Sequence, residues 1–171
     1  MRKFILIVTI LAIFLLILPS CGAAGISAEE IREVLEADFA AAMQISYRDL
    51  EIEATLTSPK IGGEIFEIHA PPSLNGLAVN FSGETPTLTH LGLTAELTST
   101  DIPLTSAITA IINTLNAAKS NEITISQSGT TITVSGRSLS GNFTLTFNED
   151  LILETINIRQ INLTATITQI N

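Results

Sequence analysis

The sequence predicts an α+β domain, an antiparallel sheet with one helix ahead of the strands and another in mid-chain. Three observations point there. From Asp49 onward, short runs alternate apolar with polar residues, the period of a half-buried strand. Two stretches, beginning at Ser27 and at Pro103, instead place apolar residues at helical spacing. The chain has no Trp and one Tyr and is rich in Ile and Thr, a composition that suits sheet.

In chain order, Met1-Arg2-Lys3 is a short basic head and Phe4 to Leu18 is apolar, with Thr9 as its one hydroxyl. A basic start, an apolar core of about 15 residues and a small residue at the cut site describe a secretory leader. Pro19 ends the run short of the roughly 20 apolar residues that a membrane-spanning helix needs. Leu18-Pro19-Ser20-Cys21, which holds the only cysteine, resembles the bacterial lipobox: Leu three before Cys and a small residue one before it, with Pro19 departing from the usual pattern. The resemblance implies that Cys21 becomes a diacylglyceryl thioether and, after cleavage, the first residue. Two acyl chains give stable membrane anchoring where one gives only marginal binding. The expected organisation is a leader over 1–20, lipidated Cys21 with a short tether over 21–26, and a single domain over 27–171. The expected location is the extracytoplasmic face of a bacterial membrane.

Ser27-Ala28-Glu29-Glu30 fits a capping box, with Ile26 and Ile31 at the hydrophobic-staple positions. Ile31, Val34, Leu35, Phe39 and Met43 keep helical spacing, which predicts an amphipathic helix to about Gln44. Asp49 to Leu56 alternates as a strand, Pro59 to Gly63 reads as a turn, and Gly63 to Ala70 reads as a second strand. Pro71-Pro72-Ser73 breaks it. Leu77, Val79 and Phe81 begin a third strand, and Leu91, Leu93, Ala95 and Leu97 line one face of another. Leu104, Ile108, Ile111, Ile112 and Leu115 then form a helical stripe, with Pro103 suited to a first turn and Lys119 to the negative end of the helix. Ile123 and Ile125, Ser128-Gly129, then Ile132 and Val134 predict a hairpin. Phe143, Leu145 and Phe147 share the next dry face, and Asn148-Glu149-Asp150 turns the chain. Ile156 and Ile158, then Ile161, Leu163, Ala165 and Ile167 supply the last strands, with a change of phase near Arg159-Gln160.

The net charge is −9, and loss of Arg2 and Lys3 with the leader takes it to −11. Such a domain repels nucleic acid and anionic headgroups, so membrane contact is expected through the acyl chains alone. With no second cysteine there is no internal disulfide, and the fold depends on its core. About 150 residues suffice for a domain that buries roughly 70% of its unfolded surface.

The order helix, strands, helix, strands resembles the LolA/LolB and LppX group of lipoprotein carriers. The segment "PPSLNGLAVNFSGETPTLTHLGLTAELTSTDIPLTSAITAIINTL" is similar to small cell-surface lipoproteins of that group, in which strand, turn, strand and Pro-led helix follow in this order. The resemblance implies a strongly curved antiparallel sheet forming an open half-barrel, with the N-terminal and mid-chain helices covering one side and an apolar cavity for acyl chains. A Cys21 anchor departs from the soluble carrier of the group. Some germination-associated lipoproteins that resemble this fold support an amidase, which implies an envelope protein as an alternative partner.

Little else carries chemistry. His69 and His90 have no His or Cys neighbour at metal-ligand spacing, and no Gly-x-Ser-x-Gly elbow or Gly-rich phosphate loop is present. Glu51 and Glu53 read as the solvated face of a strand. The expectation is a non-enzymatic protein without a cofactor or metal, which binds a lipid or other apolar ligand or docks an envelope partner. The candidate ligand surface is apolar: Phe81, Phe143, Leu145 and Phe147. Whether these residues line a cavity or fill a core depends on the side-chain volumes facing them.

Overall fold

The capping box at Ser27 forms as its four letters predict. Ser27 Oγ accepts from the Glu30 N–H at 3.2 Å, and Glu30 Oε2 accepts from the Ser27 N–H at 2.8 Å. Helix α1 (Ala28–Glu36) follows and buries Ile31 and Leu35. The computed structural model describes residues 25–82, 85–97, 103–120 and 122–170; Cys21 and the expected leader lie outside the described residues.

Helix α1 stops at Glu36, not near Gln44, and the chain becomes strand β1 (Phe39–Tyr47). Phe39 and Met43 lie four residues apart, a spacing that a helix face and a strand face share. Ala41, Met43, Ile45 and Tyr47 are all buried, and that period of two is the signature of the strand. The strands that follow are β2 (Leu50–Ser58), β3 (Ile65–Ala70), β4 (Ala78–Asn80), β5 (Thr87–His90) and β6 (Leu93–Glu96). Helix α2 (Pro103–Ala118) comes next, followed by β7 (Thr124–Ser128), β8 (Thr131–Ser138), β9 (Gly141–Phe147), β10 (Leu153–Ile158) and β11 (Leu163–Ile170).

Two strands differ from expectation. The third predicted strand shortens to β4, which leaves Leu77 and Phe81 just outside it. The run expected to carry Leu91, Leu93, Ala95 and Leu97 on one face is the second half of a hairpin, with Thr87–His90 as its first strand. Leu91 (φ +50°) and Gly92 (φ +81°) form its turn, so Leu91 faces no sheet. The expected change of phase at Arg159-Gln160 is a short 3₁₀ turn over Arg159–Ile161, which closes on left-handed Asn162.

All eleven strands form one antiparallel sheet in the order β6-β5-β4-β3-β2-β1-β11-β10-β9-β8-β7. The sheet is open and curved, the half-barrel expected of an α+β protein of this kind. Strands β1 and β11 pair at its centre, with Ile45 opposite Ala165 and Tyr47 opposite Leu163. The edge strands β6 and β7 flank α2 in sequence, so the chain passes from one edge to the other by way of α2.

The inner face is apolar and the outer face polar. Thr133, Thr146, Thr155, Thr166, Gln44 and Glu53 stand in register across six strands of the outer face. Helix α2 shares the core of the inner face. Its predicted stripe of Leu104, Ile108, Ile111, Ile112 and Leu115 is buried, and so are Thr105, Ala107, Ala110, Thr114 and Ala118. A helix enclosed by a curved sheet buries more than one face, and small residues on its flanks allow the close approach. Among the described residues, the buried apolar core runs from Ile31 to Ala165. Among the described residues no helix is long and apolar enough to cross a membrane.

Candidate functional site

Two apolar clefts lie at opposite ends of β1, and between them the inner face is filled. Ile45 and Ala54 are closed off from solvent in that middle region.

The larger cleft, of about 540 Å³, is built where three segments meet. The β1–β2 turn contributes Tyr47, Arg48, Asp49 and Leu50. Arg48 adopts a left-handed conformation (φ +56°), and its N–H donates to the Asn162 carbonyl at 3.3 Å, tying this turn to the β10–β11 turn. The Arg48 guanidinium carbon lies 5.0 Å from the centre of the Tyr47 ring, within cation–π range. Leu74 and Leu77 come from the β3–β4 connection. Its backbone is pinned by Ile68 N–H donating to the Leu77 carbonyl at 2.9 Å and Leu77 N–H to the Leu74 carbonyl at 3.1 Å. Leu88 comes from β5, and Pro103, Leu104 and Thr105 come from the first turn of α2. The volume falls in the ~300–1,000 Å³ range of small-molecule sites, and the lining is mostly apolar with a few polar groups, as such sites require. Thr105 is 2% exposed, and its hydroxyl has no hydrogen-bond partner.

The smaller cleft, of about 350 Å³, lies beneath α1. Val34 and Leu35 of the helix, Phe39, Ala41 and Met43 of β1, Leu56 of β2, Leu151 and Ile152 of the β9–β10 turn and Leu153 of β10 line it. Asn148 Oδ1 accepts from the N–H groups of Asp150 and Ile152, each at 3.0 Å, and so shapes that turn.

The four residues of the candidate ligand surface line neither apolar cleft. Phe143, Leu145 and Phe147 do share one face of β9, and all three are buried in the core at 3%, 0% and 0% exposure. The Phe143 ring lies over Gly136, its cross-strand partner: a Cβ there would stand 2.6 Å from the ring. Phe81 is half-buried beyond β4, and five strands separate β4 from β9 in the sheet. The structure therefore fills the surface where the phenylalanines lie and leaves space where turn leucines converge. The signal for those leucines is Leu74-Asn75-Gly76-Leu77, and Leu50 just after Arg48-Asp49, where apolar residues stand in segments that turns normally keep polar.

The other polar groups have ordinary surroundings. His69 Nε2 lies 2.8 Å from Thr55 Oγ1 on the exposed side of the sheet. Glu51 accepts from the Ser46 hydroxyl at 2.7 Å, and both Glu51 and Glu53 are exposed. Among the described residues, no three His, Cys, Asp or Glu side chains gather to hold a metal ion.

No family model and no curated protein matches the sequence. Solved structures do share its shape. An uncharacterised conserved protein from Thermus thermophilus is similar at TM-score 0.51 and 11% identity, over 84% of this chain and 86% of that one. A LolA superfamily protein from Nitrosomonas europaea is similar at TM-score 0.44 and 10% identity, over 86% of this chain and 94% of that one. A chain in the structure of the CwlD amidase from Clostridioides difficile in complex with the GerS lipoprotein is similar at TM-score 0.42 and 14% identity, over 74% of this chain and 79% of that one.

Proposed function

We propose that this chain is a lipid-anchored, non-enzymatic envelope protein, held through Cys21 at the extracytoplasmic face of a bacterial membrane, and that its half-barrel binds an acyl lipid. One observation carries the binding reading. Apolar side chains from the β1–β2 turn, the β3–β4 connection, β5 and α2 converge on a cleft of about 540 Å³. Leu50, Leu74, Leu77 and Leu88 there are only half-buried, an arrangement that an apolar occupant would complete. The anchor reading rests on the lipobox-like Leu18-Pro19-Ser20-Cys21 behind an apolar leader.

Native mass spectrometry of residues 22–171, purified without detergent, tests the binding. The expected result is a lipid adduct, or uptake of an added fatty acid at one per chain. A bare protein mass that takes up no fatty acid would sink the reading. The anchor is tested separately. Cys21→Ala should abolish incorporation of radiolabelled palmitate and leave the precursor uncut, and equal labelling of the variant would remove the anchor claim.

A second reading, a protein-interaction module, has its own observation. Leu91 and Leu93 are 88% and 79% exposed on the terminal β5–β6 hairpin, and among the described residues β6 is an edge of the sheet. Such an edge is a template for an added strand. Leu93→Lys should then weaken cross-linking to an envelope partner while leaving fatty-acid uptake intact.

A further inference from the structure

Helix α2 carries two buried threonines, Thr105 and Thr114, whose hydroxyl oxygens are closed off from water and have no partner. A buried hydroxyl left unpaired lowers stability, and valine would fill the same volume without that cost. The two differ in position. Thr105 is in the wall of the larger cleft and Thr114 is not.

We infer that Thr105 is the polar anchor of that cleft and that its ligand presents an acyl carbonyl oxygen to the Thr105 hydroxyl. The inference rests on the acyl-lipid reading above. Three features support it. Five of the ten lining residues are leucine and the other polar side chains, of Tyr47, Arg48 and Asp49, all belong to the β1–β2 turn, so Thr105 is the hydrogen-bonding side chain that α2 offers an occupant. The hydroxyl donates well to a carbonyl, and its place in the first turn of α2, the positive end of the helix, favours an electron-rich oxygen. Threonine in a helix has two staggered χ1 wells, and rotation between them moves the hydroxyl to a new position, so the donor can turn to meet an occupant.

An acyl carbonyl can belong to a free fatty acid or to an ester lipid. Arg48 separates the two. Arg48 lines the same cleft, and none of the ion pairs among the described residues involves its guanidinium. A free carboxylate would gain from Arg48, whereas an ester would not.

The test uses residues 22–171 and measures the affinity for lauric acid and for 1-monolauroylglycerol by displacement of a fluorescent fatty acid, with a melting curve for every variant. Thr105→Val should melt higher than wild type and bind the preferred ligand about tenfold more weakly, the loss of one hydrogen bond. Thr105→Ser, which keeps the hydroxyl, should restore binding. Thr114→Val should also melt higher but bind as wild type does. A preference for lauric acid that Arg48→Ala removes assigns the free acid, and a preference for the monoglyceride that survives Arg48→Ala assigns the ester. Wild-type affinity in Thr105→Val overturns the inference and leaves the acyl-lipid reading standing. Failure of the wild-type protein to bind either probe overturns that reading and the inference with it.

Discussion

Ser27 and Glu30 close a reciprocal pair at the start of α1, and its strength depends on the charge of Glu30. The Ser27 backbone N–H, and then its hydroxyl, hold the Glu30 carboxyl below the ordinary glutamate range. A depressed carboxylate contributes stability above its unfolded pKa and loses it as pH falls through the folded value. Ser27→Ala should therefore destabilise the domain at pH 7 by about 1 kcal/mol, the usual cost of losing an N-cap. The gap in melting temperature between variant and wild type should narrow at pH 3, and an equal gap at both pH values would show that the Glu30 carboxylate gains nothing from the Ser27 hydroxyl. A second residue-scale prediction concerns Gly136. Its Cβ would meet the Phe143 ring at 2.6 Å, so Gly136→Ala should cost about 1–3 kcal/mol through forced repacking, read by chemical denaturation. Of these two features only the cap was legible in sequence, because its four residues are contiguous. The contact of Gly136 with Phe143 depends on the register of β8 against β9, which neither strand reports alone.

Among the elements, the boundary between α1 and β1 shows what a pattern can carry. Ile31, Val34 and Leu35 keep helical spacing, and Met43 continues it, yet β1 has begun by Phe39. Separations of four residues suit both periods, and the alanines at 40–42 add helix propensity that the pairing of β1 with β2 and β11 overrides. The strand at Thr87–His90 was hidden for another reason: all four of its residues are half-buried, so no alternation marks it. Helix α2 was legible because Pro103 and a stripe of Leu and Ile mark its start and its buried face. Leu35 tests the packing of α1. It is 3% exposed at the junction of α1 with the smaller cleft, and burying an unpaired carboxylate there is costly. Leu35→Asp should lower stability by about 3 kcal/mol or more. A melting temperature within error of wild type would mean that α1 does not pack on the sheet.

At the scale of the whole molecule, the half-barrel is filled in its middle and open at both ends of β1. The sequence shows which residues face inward, because that follows from a period of two. It does not show where the interior is empty, because that depends on how the volumes of α2 residues such as Ile108 and Ile111 fit against the sheet. Core and cleft therefore respond differently to mutation. Phe143→Ala should cost about 3–5 kcal/mol, because it opens a hole in a packed region, and the folded protein should bind ligand as before. An acyl chain that buried about ten methylenes in the larger cleft would gain roughly 8 kcal/mol, which would set the tightest dissociation constant near micromolar before association costs. Leu77→Trp places a bulky ring in that cleft from a half-buried connection rather than from the core. The most direct test is a titration of a fluorescent fatty acid into wild-type protein and Leu77→Trp, with a melting curve for each. The expected result is saturable binding at one site in wild type, abolished in Leu77→Trp with the melting temperature retained. No saturable binding in wild type, or equal binding in the two proteins, would contradict it.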